Sequence, residues 1–177
     1  GATNMLTGVA DANMNRAPLI AISAQAGMNR QHKESHQAYD LVSLYQPVTK
    51  WSASIRTPEI TPEVVHKAYQ IATSEKPGAT HIELPEDIAA METDASVIQF
   101  YQTKNDDVQA SDTVIQKAAE ILQQSKKPLI LCGYGVIRDR AEQEVVRFAE
   151  QLQAPVTETF MGKGSIPSDH PLAMMTT

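Results

Sequence analysis

Apolar residues fall along the chain in two rhythms. Met5, Leu6, Val9, Ala10 and Ala12 to Met14 recur at helical spacing, which predicts a first helix capped by Thr3 or Asn4 and stopped by Asn15 to Pro18. Leu19 to Ala24 is a short, nearly continuous apolar run without polar alternation, the pattern of a parallel strand covered on both faces. After a polar stretch from Gln25 to His36, residues 38, 41, 42, 44 and 45 predict a short helix, and Val48 to Ala53 a brief strand. Thr61-Pro62-Glu63 supplies a cap, a proline at the first helical position and an acid in the first turn. The helix that follows has an apolar face of Val64, Val65, Ala68, Ile71 and Ala72 and ends at Pro77-Gly78. Thr80 to Leu84 reads as a strand closed by Pro85.

From Glu92 to Asp112 the pattern fades into polar residues with little periodic apolar content, as in a linker between domains. Beyond it, Thr113 to Gln124 predicts a helix, Pro128 to Cys132 a strand, Gly133-Tyr134-Gly135 a tight turn, Asp139 to Leu152 a helix and Pro155 to Thr159 a strand. Helices and strands alternating at this spacing predict an α/β fold, parallel sheets with flanking helices, in a doubly wound arrangement. The expected division is residues 1–92, a linker over 93–111, and residues 112–177.

Composition narrows the class. The 177 residues are 42% hydrophobic and 20% charged, an ordinary globular balance that disfavours disordered, collagen-like and disulfide-framework chains. Fifteen basic against twenty-one acidic side chains give a net charge of -6, the wrong sign for tracking a phosphate backbone, so no nucleic acid partner is expected. The single cysteine, Cys132, sits in an apolar strand and reads as a buried thiol in a reducing, cytoplasmic compartment. The longest uncharged apolar run, Pro128 to Ile137, is about half the length of a membrane span, and no membrane association is expected. The chain opens at Gly1 inside a helical pattern and stops at Thr177 without a cap, as expected of an excerpt from a longer polypeptide.

Candidate chemistry gathers in a few places. Gly133-Tyr134-Gly135 follows a strand and precedes a helix, where an α/β sheet presents N–H groups to phosphate, but Arg138 stands where a dinucleotide fingerprint needs its third glycine. A strand-to-helix turn is the plainer expectation there. Gln31-His32-Lys33-Glu34-Ser35-His36-Gln37 packs polar groups between a strand and a helix, a place where such folds put ligands. His32 and His36 have metal-ligand spacing only on a helix and lack a third ligand, so no metal site is expected within the chain, and a solvated loop with Ser35 capping the next helix is the alternative. Glu63, Glu83, Glu86 and Asp87 offer carboxylates, yet their spacing makes no acid/base pair. Met161-Gly162-Lys163-Gly164 lacks the glycine at 157 and the hydroxyl at 164 of a Walker loop, and reads as a glycine-rich loop after a strand.

Taken in order, several segments resemble the acetolactate synthases, a family of thiamine diphosphate enzymes. Gly1-Ala2-Thr3-Asn4 is similar to the end of the family's Gly-Pro-Gly-Ala-Thr-Asn turn. Leu6 to Ala12, Arg16 to Leu19, His32 to Gln37, Pro47 to Trp51, Lys76 to Ala79, Leu84 to Asp87 and Met161 to Gly164 follow in the family's order. The resemblance covers nearly the whole chain and implies that residues 1–92 are the latter part of a pyrimidine-binding domain and residues 112–177 the opening part of a central Rossmann-like domain. The implied reaction joins two pyruvates into 2-acetolactate with loss of carbon dioxide, in a catabolic type of enzyme. Thiamine diphosphate and Mg2+ are the implied cofactors, with the activating glutamate upstream of Gly1 and the metal and diphosphate ligands downstream of Thr177.

The implied site residues are Gln37 as catalytic, Gly1, Asn4 and Gln37 as cofactor-binding, and His32, Lys33 and His36 as further members of the same pocket. A homodimer or homotetramer is implied, since the family's active site forms between subunits. FAD, which biosynthetic members bind, is expected to be absent: Tyr134 interrupts the consecutive glycines of flavin-binding members, and Lys76 stands where many members have arginine. Two other outcomes remain open on the sequence. One is a related enzyme of the pyruvate oxidase, oxalyl-coenzyme A decarboxylase or sulfoacetaldehyde acetyltransferase type, and the other a non-catalytic α/β binding or assembly module.

Overall fold

The structure, a computed structural model, describes residues 1–33, 38–98 and 109–174. It is mixed α/β and divides into two compact units, residues 1–102 and 103–177. In the first unit the parallel strands β1 (Leu19–Gln25), β2 (Trp51–Ser54) and β3 (Ala79–Pro85) form a sheet in the order β1-β3-β2. Helices α1 (Ala2–Met14), α2 (Leu41–Tyr45), α3 (Thr61–Thr73) and α4 (Glu86–Ala89) flank it.

Strand alternation divides the sheet into two faces of different chemistry. Val9 of α1 and Tyr45 of α2 pack with Ala21 and Ala79 on one face, whereas α3 brings Ala68, Val64 and Val65 onto Ile82, Trp51 and Ile20 on the other. The α3 face is apolar apart from Thr80, whose buried hydroxyl donates to the Ala68 carbonyl of α3 at 3.3 Å. On the α1/α2 face, Ala21 and Ala79 at the base give way to Ser23 and His81, then to Gln25 and Glu83, all buried. Polarity on that face therefore rises toward the carboxyl ends of the strands.

Local chemistry fixes the joints. Lys50 donates to the carbonyls of Ile71 and Ser74 at the end of α3, so its ammonium satisfies orphan carbonyls and complements the negative end of the helix. Lys67 lies 5.3 Å over the ring of Trp51. A Cβ on Gly78 would stand 2.5 Å from Oδ1 of Asn13, the oxygen that accepts from the Ala79 N–H at the start of β3.

Several expectations need correction. Gly1, not Thr3 or Asn4, holds the N-cap position of α1, and no side chain caps it. Ile60 takes that position for α3, so Thr61 is already helical. The cap of α2 is Asp40, whose carboxylate accepts from Ser43 N at 3.0 Å and Ser43 Oγ at 2.6 Å, and these hydrogen bonds hold its pKa below the usual carboxylate value. Strand β1 is covered on one face only along its second half: Ile20 joins the cluster under α3, but Ile22, one same-face step further on, lies outside that cluster and is 57% exposed.

The second unit holds α5 (Asp112–Gln124), β4 (Ile130–Cys132), α6 (Tyr134–Asp139), α7 (Glu142–Leu152) and β5 (Val156–Glu158), with β4 and β5 parallel. Cys132, Ala149, Val156 and Ile166 form its core. Cys132 is free and buried, and burial raises its pKa. The expected helix over 139–152 starts later, at Glu142, because Arg140 adopts a left-handed φ of 54° that ends the separate short helix α6 before it. The expected tight turn at Gly133 to Gly135 is also absent: Gly133 is extended at the N-cap of α6, and Gly135 lies inside that helix. Gly162 packs so closely on Cys132 that a Cβ there would lie 2.4 Å from its carbonyl oxygen.

Candidate functional site

The carboxyl end of β1, the first residues of α1 and Glu86 at the start of α4 surround a cleft of about 550 Å³ in the first unit. Gly1, Met5, Ser23, Gln25, Arg30 and Leu41 are among the residues lining it. Parallel sheets put ligands at this end because the strand-following loops converge there and helix N-termini present free N–H groups.

Carboxylates hold the loop after β1 in place. Glu86 accepts from Gly27 N at 3.3 Å and pairs with Arg30 at 3.3 Å, and Asp87 accepts from Met28 N at 2.8 Å. Two of the acids that spacing left unpaired thus brace a loop from the start of α4. Gln25 ties three segments together: its amide nitrogen donates to Glu83 at 3.0 Å and to the Tyr39 carbonyl, while its oxygen accepts from Ala26 N at 2.9 Å. Both amide protons of Gln25 are committed to these contacts.

Behind Ser23 lies a buried polar array. The His81 ring, fully buried on the central strand, makes hydrogen bonds through Nε2 to Ser23 Oγ at 2.8 Å and through Nδ1 to Ser52 Oγ at 2.9 Å. The Tyr45 ring stacks on it at 3.8 Å between centroids, and the Tyr45 hydroxyl donates to the Ala2 carbonyl at 2.6 Å. Loss of hydration brings the His81 pKa down to about 4, so the ring is neutral at pH 7, with one nitrogen donating and the other accepting. One serine therefore donates to the ring and the other accepts from it.

Of the expected site residues, Gly1 lies at the cleft and Asn4 is exposed in the first turn of α1, apart from the lining. His32 and Lys33 are exposed in the turns after β1 and do not line the cleft. Gln37 and His36 lie outside the described residues. Ser23, Gln25 and His81 were passed over by sequence reasoning that looked for polar clusters in loops. The signal was present as polar residues two apart, Ser23 and Gln25 in one strand and His81 and Glu83 in another.

Residues 115–177 match the family model for the central domain of thiamine pyrophosphate enzymes. The chain is also 38% identical over 179 residues to a probable acetolactate synthase large subunit of Methanocaldococcus jannaschii, covering 98% of this chain and 30% of that one. It is 33% identical over 180 residues to the acetolactate synthase large subunit of Lactococcus lactis, covering 98% of this chain and 31% of that one. Over nearly its whole length the chain is similar to thiamine pyrophosphate enzymes. A glyoxylate carboligase of Escherichia coli O157:H7 is 34% identical over 170 residues, covering 96% of this chain and 29% of that one. The chain spans about 30% of the length of the curated relatives it matches.

The cleft fits one end of the cofactor after which the thiamine pyrophosphate enzymes are named. Uncharged hydrogen-bonding groups, Ser23 and the oxygen of Gln25, stand beside Met5 and Leu41, a combination suited to a flat heterocycle with polar edges. Among the described residues no group of three or more His, Cys, Asp or Glu side chains is placed to hold a metal ion. Among the same residues, no helix is long and apolar enough to cross a membrane.

Proposed function

We propose that the protein carrying this chain is an acetolactate synthase, joining two pyruvates into 2-acetolactate and carbon dioxide. The observation that carries this is near-complete coverage of the chain by acetolactate synthase large subunits at 33–38% identity, joined to a cleft at the strand ends suited to a heterocycle. When bound, thiamine diphosphate supplies the carbon nucleophile and electron sink for the reaction. The chain's own part is to orient the heterocycle: Ser23 and the oxygen of Gln25 offer polar contacts, and Met5 and Leu41 keep water from its faces. Residues 1–92 act as part of a pyrimidine-binding domain, 93–111 as a linker and 112–177 as part of a central domain. Gln37 is the proposed catalytic amide, with Gly1 and Asn4 on the cofactor and His32, Lys33 and His36 nearby. A magnesium-dependent, cytoplasmic homodimer or homotetramer that needs no flavin completes the proposal.

Incubating the full-length protein with pyruvate, thiamine diphosphate and magnesium, without flavin, is expected to yield acetolactate. Replacing Gln37 by alanine is expected to cut turnover roughly 10-fold, the scale of one positioned hydrogen bond. Carbon dioxide without acetolactate rejects the condensation, and a stoichiometric flavin band whose removal abolishes activity rejects flavin independence. The similarity to a glyoxylate carboligase favours a second reading, condensation of glyoxylate, which the same assay reveals if glyoxylate is consumed in preference to pyruvate.

A further inference from the structure

The polar array behind the cleft is more than a satisfied core. A histidine in the middle of a sheet is expensive to bury unless both ring nitrogens find partners, and here each finds a serine from a different neighbouring strand. Register produces this arrangement, since His81 of β3 lies opposite Ala21 of β1 and Ser52 of β2, with Ser23 one same-face step along β1. The stacked Tyr45 ring fixes the plane of the imidazole, and its hydroxyl ties that plane to Ala2 at the start of α1. Of the two serines, Ser23 lines the cleft.

Among the polar side chains at the cleft, Ser23 has capacity left. Gln25 has spent both amide protons, and Arg30 is drawn toward Glu86 at the rim of the cleft, whereas Ser23 alone of the lining is tied to the buried imidazole. Ser23 bonds His81, and a hydroxyl in one such bond keeps either its proton or its lone pairs for a second partner. Which it keeps depends on the tautomer of His81. We propose that His81 is a positioning residue that, held by Ser52 and the Tyr45 ring, fixes the orientation of the Ser23 hydroxyl toward a heterocyclic ligand in the cleft. The proposal rests on the function proposed above, and the heterocycle in question is that of thiamine diphosphate.

A ring that had lost its partner at Nδ1 would be free to tilt and would carry the Ser23 hydroxyl out of line with the ligand, weakening that contact. Losing Ser52 should therefore be felt at the cleft even though Ser52 does not line it. A packing role for His81 predicts no such transmission.

The test is calorimetric titration of the full-length protein with thiamine diphosphate in the presence of magnesium, alongside kcat and KM for pyruvate and a thermal unfolding curve for every variant. Ser23→Ala and His81→Leu are each expected to raise the cofactor Kd roughly 10-fold, and the double variant to be no worse than either alone, because both remove the same contact. His81→Gln, whose amide reaches the position of Nε2, is expected to recover most of the loss, and Ser52→Ala to raise Kd about 3-fold with KM for pyruvate unchanged. Should His81→Leu fail to fold, Ser23→Ala and Ser52→Ala still decide. Wild-type protein that binds while Ser23→Ala binds equally well, or a double-variant loss equal to the product of the single losses, overturns the positioning role alone. Wild-type protein that binds no thiamine diphosphate overturns the proposed function and this assignment together.

Discussion

A neutral imidazole sealed inside a sheet makes folding sensitive to pH, and His81 is that group here. Its pKa is about 4 in the folded chain, lowered by burial, against 6.5 when exposed. As pH falls below 6.5 the unfolded chain takes up a proton that the folded chain refuses until about pH 4, so unfolding is favoured across that window. The stabilisation is complete above the unfolded pKa and lost as pH falls through the folded one, a change of roughly 3 kcal/mol. Trp51, the chain's only tryptophan, packs in the same unit and reports its unfolding by fluorescence. Urea unfolding at pH 7.5 and pH 4.5 is expected to show this extra loss in the wild-type chain and not in His81→Gln. Equal pH slopes in the two proteins would place the acid sensitivity elsewhere.

At the scale of elements, three glycines that look alike in sequence do different work. Gly133 is extended with open space around it, and Gly135 sits inside α6 with equal room, whereas Gly162 lies against the Cys132 carbonyl. Gly135→Ala is expected to stabilise the second unit by about 0.5–1 kcal/mol through helix propensity. Gly162→Ala is expected to cost about 2–3 kcal/mol, because backbone must shift on at least one side of the contact. Thermal unfolding of the two variants checks both signs. Such distinctions arise from tertiary approach, which spacing does not encode. What spacing did encode was the run of strands and most helix cores: Leu19 to Ala24 and Thr80 to Leu84 emerged within a residue or so of β1 and β3. Caps were less legible, since Thr61 and Asn4 carry the right chemistry but lie inside the first turn. The break at Arg140 left no glycine to mark it. Of the candidate site, the resemblance pointed to Gly1, which lies at the cleft, whereas spacing gave Glu86 and Asp87 no role and Ser23 and His81 were masked by the apolar strands that contain them.

At the scale of the whole molecule, the distribution of chemistry decides what this chain does by itself. The cleft supplies hydroxyl, amide and apolar surface for a heterocycle, and the second unit supplies a short parallel sheet with a buried thiol and a tightly packed glycine loop. A diphosphate at neutral pH carries several negative charges, and gripping it takes a divalent cation or converging N–H groups and cations. Among the described residues no ligand set for such a cation is assembled, and Arg30, the guanidinium at the cleft, is paired with Glu86. The relatives devote about 70% of their length to sequence that this chain does not span. The 177-residue chain is therefore expected to bind thiamine diphosphate at least 100-fold more weakly than the full-length protein, roughly 2.7 kcal/mol, and to consume no pyruvate. Calorimetry on the purified chain and on the full-length protein, each with magnesium present, measures the difference. Affinities within about 3-fold of one another, or pyruvate consumption by the chain alone, would show that the 177 residues hold the diphosphate themselves.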